Sequence, residues 1–273
     1  MKRAVFVTGG SGYLGHELHA ALTGRGLDFE ALGRAEGLDL ARPFDIDGVV
    51  EARFAAAQAE PLLIHAAAWS RQDACEREPD NAFRANAEAS GVLASLVAQF
   101  GGRMVYVSTD LVFDGEDAPY DETSTPLPIS VYGRSKLLGE RYVRSHARNL
   151  IVRIPLLFGP SFDGRRGASD SLLHAVSEGR ELGLFTDEWR TPLDVRVAAA
   201  RIVDLAITDV SGVRHLPGDA RWSRYDFGLH CLQAAGVDIK ASGARIMEAR
   251  REDHGGARPR DCSLATVYGS TKL

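Results

Sequence analysis

The chain is poor in the residues that build small stapled or metal-held folds. Its 273 residues include three cysteines, Cys75, Cys231 and Cys262, too dispersed for a zinc pattern and odd in number for a complete disulfide set. They read as reduced thiols in the core or in loops, and no metal site is expected. Long hydrophobic runs are missing as well. The start, Met1-Lys2-Arg3 followed by Ala4–Val7, is basic and then apolar, but it stops at Thr8-Gly9-Gly10. That is too short for a signal peptide or a membrane span, so a cytoplasmic protein without a membrane partner is expected. Basic charge is not in excess either. Thirty-two Lys and Arg face 37 Asp and Glu, a net charge of −5, which argues against a nucleic-acid surface.

What is present suits a globular fold with a substantial core: 45% hydrophobic and 25% charged residues. Short apolar, β-branched runs alternate with helical patterns. Strands are expected at Ala4–Val7, Asp28–Leu32, Leu38–Leu40, Leu62–His65, Arg103–Val107 and Leu150–Ile154. Helices are expected after Gly15, over Pro43–Ala59 and over Asn81–Phe100. This alternation predicts an α/β fold, a Rossmann-type doubly wound parallel sheet. Beyond Pro155 the pattern loosens, as for a smaller substrate-binding lobe. Its expected elements are helix Asp170–Gly179, strand Leu182–Phe185, helix Val195–Ile207, strand Val213–Leu216, helix Arg224–Ala235 and strand Arg245–Glu248. The division expected is 1–155 and 156–273, with 194–216 packing back on the first part.

Strand, glycine turn and helix meet at Gly9-Gly10-Ser11-Gly12-Tyr13-Leu14-Gly15, spaced G-x-x-G-x-x-G. Missing side chains let backbone approach a pyrophosphate, and a helix N-terminus supplies free N–H groups and positive dipole. A ribose diol usually takes an acid at the end of the second strand, whereas a 2′-phosphate takes an arginine. Arg34 stands just past that end without a carboxylate in place, which favours NADP(H), with NAD(H) as the alternative. Asp39, followed by Leu40, is placed to accept from an adenine amino group. Ala66-Ala67-Ala68, before Trp69, let something flat approach the backbone. His65 reads as a satisfied strand-end residue.

Tyr132 and Lys136 lie one helical turn apart and share a face. An ammonium beside a phenol lowers the phenol's pKa and prepares it to exchange a proton with a carbonyl or alcohol oxygen. Ser108-Thr109-Asp110 falls at a strand's carboxyl end, where ligands of such sheets bind. A hydroxyl there completes a trio of Thr109, Tyr132 and Lys136.

With these segments in view, the chain resembles the extended short-chain dehydrogenase/reductases, and among them the dTDP-4-dehydrorhamnose reductase family. The resemblance runs through Gly9–Gly15, Ala66–Trp69 with Asp73 and Glu76 after it, and Asn86. It is most specific over Val107–Gly115, Pro119–Glu122 and Tyr132–Glu140, and returns at Arg258-Pro259-Arg260-Asp261-Cys262-Ser263-Leu264. It implies Tyr132 as general acid, Thr109 beside it, and Lys136 holding the nicotinamide ribose as well. By this likeness the cofactor contacts are Gly9, Gly12, Tyr13, Leu14, Gly15, Arg34, Asp39, Leu40, Ala66, Ala67, Ala68, Tyr132 and Lys136. The substrate contacts are Trp69, Thr109, Asp110, Tyr132, Asp170 and Arg258. Trp69 replaces the family's usual tyrosine, Ser169-Asp170 stands where asparagine-phenylalanine is common, and Asp187–Pro192 matches its counterpart in part.

The activity implied is NADPH-dependent reduction of a 4-keto group on a nucleotide-linked deoxysugar. The Gly/Pro-rich stretch with Arg250, Arg251, Arg258 and Arg260 would suit the sugar's pyrophosphate. A dehydratase is disfavoured because Leu111 stands where those enzymes carry a glutamate, and an epimerase because it would retain NAD. A different class remains: a non-catalytic cofactor-binding subunit, since the family is similar to the regulatory subunit of methionine adenosyltransferase. A homodimer is one option for assembly.

Overall fold

The structure, a computed structural model, describes residues 3–253 and 256–269, the Lys240 side chain excepted; Met1 and Lys2 of the basic start lie outside that range. In the first half the elements are β1 (Arg3–Thr8), α1 (Tyr13–Gly24), β2 (Phe29–Leu32), α2 (Ile46–Ala57) and β3 (Glu60–His65). They continue with α3 (Gln72–Arg77), α4 (Pro79–Phe83), α5 (Ala89–Gln99), β4 (Arg103–Thr109), α6 (Val131–Arg144) and β5 (Leu150–Ile154). The second half contains β6 (Leu157–Phe158), α7 (Gly167–Ser177), β7 (Glu181–Phe185), β8 (Trp189–Arg190), β9 (Leu193–Asp194) and α8 (Val195–Ile207). It ends with β10 (Gly212–His215), β11 (Trp222–Ser223), α9 (Arg224–Ala234), α10 (Ile239–Ser242) and β12 (Arg245–Ala249).

Six parallel strands form the main sheet, in the order β10-β5-β4-β3-β1-β2. Every residue of β4 and β5 is buried, as expected for strands covered on both faces. Leu18 and Leu22 of α1 pack with Ala198, Ala199, Ile202 and Val203 of α8 on one face. Val50 and Phe54 of α2 pack with Leu93, Leu96 and Val97 of α5 on the other. The result is the Rossmann-type α/β architecture expected from the sequence. The order reverses at β1, with β2 on one side and β3 on the other, and a crevice opens at that switch point.

Two expectations need correction. Leu38–Leu40 is not a strand. The chain leaves β2 in a tight helical turn over Arg34–Glu36, Gly37 takes a left-handed conformation (φ +88°), and the Leu38 N–H closes the loop on the Gly33 carbonyl at 2.8 Å. The buried Leu38 side chain then anchors the segment in the core, so its apolarity served packing rather than a strand. The helix expected over Asn81–Phe100 is also interrupted, by a π turn at Arg84–Glu88. That wider turn holds Asn86, whose amide clamps the Trp69 backbone: Trp69 N–H donates to Oδ1 (2.7 Å) and Nδ2 donates to Trp69 O (3.0 Å). Such bulges inside helices often mark functional sites.

Beyond β5, α8 returns to the main sheet and β10 pairs with β5. The remaining elements surround a separate apolar cluster with Leu172 and Val176 of α7 and Phe227, Cys231 and Leu232 of α9. Near the C-terminus Tyr120 N–H donates to Ser263 O (2.9 Å) and Ala265 N–H to Tyr120 O (2.7 Å), tying that segment to the loop after β4. Among the described residues, no helix is long and apolar enough to cross a membrane.

Candidate active site

The cofactor end of the crevice is made by what its residues lack. Gly9 has φ +77°, and a Cβ there would fall 2.7 Å from the Ala67 nitrogen. A Cβ on Gly15 would fall 2.0 Å from the Gly9 carbonyl oxygen. The glycine turn therefore lies directly against the Ala66–Ala68 shelf. Helix α1 follows Gly12 as its N-cap, with no side-chain cap and no acid in its first turn, leaving its N–H groups and dipole available to an anion. This cradle fits the diphosphate of a dinucleotide. Beneath it His65 is fully buried, with Nδ1 2.6 Å from Thr8 Oγ1 and Nε2 3.1 Å from Ser90 Oγ. Burial, helped by the Lys136 charge, pushes the imidazole down to about 3, so it is neutral and structural.

A cavity of about 1300 Å³ runs from this turn across the sheet. It is lined by Gly9, Gly12, Tyr13, Leu14, Gly15, Arg34, Asp39, Leu40, Ala66–Ala68, Trp69, Thr109, Asp110, Tyr132, Lys136 and Arg258. At one extremity the Arg34 side chain is 78% exposed and its Nε stands 3.9 Å from Asp39 Oδ1. Asp39 Oδ1 also accepts from the Ala41 N–H at 3.1 Å. The turn after β2 brings in a carboxylate that the sequence reading missed: a Cβ on Gly33 would lie 3.3 Å from Glu36 Oε2.

At the centre, α6 carries Tyr132 and Lys136. Ser130 caps it by accepting from the Gly133 N–H (3.1 Å), and Glu76 accepts from the Val131 N–H (2.8 Å). Gly133 and Gly139 permit its close seat, since a Cβ would fall 2.1 Å from Leu111 O and 2.3 Å from Asn86 O respectively. Lys136 is 1% exposed, with Nζ 3.8 Å above the centroid of Tyr106. Burial lowers its ammonium to about 7, against an upward pull from Glu140. Glu140 itself is held by Arg153 (Nη2–Oε2, 2.7 Å) and by the Ser108 hydroxyl (2.5 Å).

Tyr132 departs from expectation. Its phenol is shifted up, not down, chiefly by burial and then by the Asp110 charge, while contact with Thr109 pulls the other way. Desolvation outweighs any help from the lysine, whose own charge is weakened by the same dry surroundings. The phenol is therefore protonated at neutral pH, the state an acid needs. Thr109 Oγ1 donates to Asp110 Oδ1 (3.1 Å) and accepts from the Leu111 N–H (3.2 Å).

The far wall is charged. Asp110 Oδ2 takes Arg190 Nη1 at 2.7 Å, with both side chains nearly inaccessible. Arg190 Nη2 reaches Glu188 Oε1 at 3.5 Å, Arg258 Nη1 reaches Glu188 Oε2 at 3.5 Å, and Arg224 Nε stands 3.9 Å from Glu188 Oε1. Burial raises the Asp110 carboxyl, and the Arg190 guanidinium opposes it. Three guanidiniums against two carboxylates leave this wall with one positive charge in excess. Arg190 Nε and Trp69 Nε1 are buried without a hydrogen-bond partner among the described residues.

Asp170 does not belong to the cavity wall. Its Oδ2 accepts from the Ser161 N–H and hydroxyl at 2.6 Å each, so it holds a loop instead of facing a substrate. Of the arginine group at 250–260, Arg258 lines the cavity, whereas Arg251 Nη1 is turned back to Arg258 O at 2.7 Å. Sequence reading missed Glu188, Arg190 and Arg224 as wall residues; for the first two the signal was the departure from the family pattern at 187–192, and for Arg224 there was none. Among the described residues, no group of three or more His, Cys, Asp or Glu could hold a metal.

The reversing parallel sheet, glycine cradle and Thr109–Tyr132–Lys136 grouping define an extended short-chain dehydrogenase/reductase architecture. The profile of the family described as RmlD substrate binding domain matches residues 1–270, and the chain belongs to that family. A dTDP-4-dehydrorhamnose reductase structure from Yersinia enterocolitica superposes with a TM-score of 0.86 at 25% identity, over 98% of this chain and 92% of that one. The Bacillus anthracis dTDP-4-dehydrorhamnose reductase in complex with NADP gives a TM-score of 0.83 at 27% identity, over 97% and 91%. Among named relatives, methionine adenosyltransferase 2 subunit beta of Danio rerio is 31% identical over 96% of this chain and 82% of its own length. The probable low-salt glycan biosynthesis reductase Agl14 of Haloferax volcanii is 33% identical over 74% of this chain and 68% of its own.

Proposed function

We propose that the protein is an NADPH-dependent reductase of a 4-keto group on a nucleotide-linked deoxysugar. The observation that carries this is the placement of a protonated, half-buried Tyr132 beside Thr109 and Lys136 on the cavity that the glycine cradle opens. Bound there, a nicotinamide cofactor would supply hydride to the carbonyl carbon. Tyr132 would give its phenolic proton to the carbonyl oxygen, and Thr109, turning its hydroxyl proton from Asp110 to that oxygen, would orient it. Trp69 offers a flat apolar face for the sugar, and Arg190, Arg224 and Arg258 offer the positive excess that a sugar diphosphate needs. Arg34 supports NADP(H); Glu36 and Asp39 beside it make NAD(H) the alternative.

The test is NADPH consumption against a panel of 4-keto sugar nucleotides, with Tyr132→Phe alongside. The variant should lose about 10²–10⁴ in turnover while NADPH binds within about threefold of wild type, since removing an acid costs catalysis and not affinity. Undiminished turnover in Tyr132→Phe would sink the assignment. A second reading has a specific observation behind it, the 31% identity to a methionine adenosyltransferase subunit. No NADPH oxidation by any substrate, together with stable capture of a methionine adenosyltransferase catalytic subunit, would select it. We expect the reductase to work in the cytoplasm, as a single chain or as a homodimer.

A further inference from the structure

We propose that Arg166 is a cofactor-clamping residue, through which the second lobe supplies the cation for the dinucleotide's diphosphate. The proposal rests on the dinucleotide reading above and adds a residue from outside the glycine turn. That turn, Gly9–Gly15, carries no basic side chain. It offers a diphosphate N–H groups and a dipole, but no full positive charge.

Arg166 stands beside it. Its Nη1 donates to the Ser11 carbonyl at 3.0 Å, two residues before the start of α1. The segment bearing Arg166 is shaped by its own bonds. Ser161 Oγ accepts from the N–H groups of Arg165 and Arg166 at 3.1 Å each, Asp170 fixes Ser161, and Asp163 Oδ2 takes Arg166 Nε at 2.8 Å. The guanidinium lies over Phe162 at 4.6 Å, and Phe162 stacks on His16 of α1 at 5.3 Å. Tyr13 OH donates to Gly159 O at 2.7 Å, a second tie between this segment and the glycine turn. The next residue, Gly167, lines the cavity, as does Ser11.

A strap fixed from within thus holds the Arg166–Asp163 pair beside the cradle, its guanidinium 41% exposed at the cavity's edge and bonded to the Ser11 carbonyl. The acceptor it uses there is a neutral carbonyl. A phosphate oxygen makes the stronger, charge-assisted bond, so the guanidinium should transfer to a diphosphate seated on the turn. Seating the dinucleotide would then fasten the second lobe to the first.

Titration calorimetry of the full chain with NADP and with NAD tests this without any turnover. Arg166→Gln should weaken both dinucleotides by about tenfold and by the same factor, because both carry the diphosphate. Arg34→Ala should weaken NADP alone. Affinities within about twofold of wild type in Arg166→Gln, or a loss confined to NADP, would overturn the clamp while leaving the dinucleotide reading intact. Arg166→Lys keeps the charge but not the fork, and should recover part of the affinity lost in the glutamine variant; no recovery, with ligand-free melting lowered in both variants, would assign the effect to the strap's fold and overturn the clamp. Wild type binding neither dinucleotide would remove both readings.

Discussion

The two ends of the cavity are built by opposite means. At the cofactor end the decisive residues are Gly9, Gly15 and Ala66–Ala68, and backbone approaches backbone because atoms are absent. At the opposite end Asp110, Glu188, Arg190, Arg224 and Arg258 fill the wall with charge. A surface of backbone amides tolerates no added atom; a buried charge network tolerates no removed one. The first kind of site is local in sequence, while the second joins residues as far apart as Asp110 and Arg190.

Removing a charge should have the larger effect. Arg190→Met leaves Asp110 buried without its guanidinium and should destabilise the fold by about 3–5 kcal/mol at pH 7, read from urea unfolding. Asp110 already has a raised pKa, and losing Arg190 raises it further. The penalty therefore grows as pH climbs above the ordinary carboxylate range and fades in acid, where the folded state holds Asp110 protonated. A full penalty persisting at acid pH would mean that packing, not charge, sets this wall. Adding an atom comes next. Gly15→Ala should cost about 1–3 kcal/mol and weaken NADP binding severely, because its Cβ meets a backbone oxygen that cannot swing away. Wild-type melting and binding in Gly15→Ala would erase the contrast between the two ends.

Lys136 sits between them and sharpens the comparison through pH. Its folded pKa of about 7 lies below the 10.5 of a free lysine, so the unfolded chain binds the extra proton between those values. Stability from this group therefore rises with pH across that window and is lowest below it. Lys136→Met should raise the ligand-free melting temperature by a few degrees at pH 6, with the difference shrinking towards pH 10; the opposite trend would show that the ammonium is stabilised in the fold. The smallest effect expected is at Arg34. Its largely exposed side chain should contribute about tenfold to NADP affinity and little to NAD. Equal losses for the two cofactors would move the preference to other residues.

This difference in construction also governs how much the sequence revealed. The sheet, the glycine cradle and helix Val195–Ile207 were legible because each is a local pattern of apolar period and glycine spacing. Thr109, Tyr132 and Lys136 could be grouped because strand ends and helix faces follow from the same patterns. Leu38–Leu40 misled because an apolar residue buried from a loop looks like one buried from a strand. Asp170 misled because a carboxylate in a loop-ordering bond is indistinguishable in sequence from one facing a ligand. The direction of the Tyr132 shift and the Arg190–Asp110 pair depend on burial and long-range pairing, which no local window contains.

The hydrogen bonds that carry Ser263 and Ala265 back to Tyr120 join segments separated by most of the second half of the chain. During synthesis the sheet from β1 to β5 can form while these residues are still inside the ribosome. The loop after Thr109 cannot be fastened until they emerge, because contacts of such separation close late. The rim that carries Thr109 and Asp110 thus sets later than the glycine cradle, and a chain stalled on the ribosome would hold a formed cradle beside an unfinished wall.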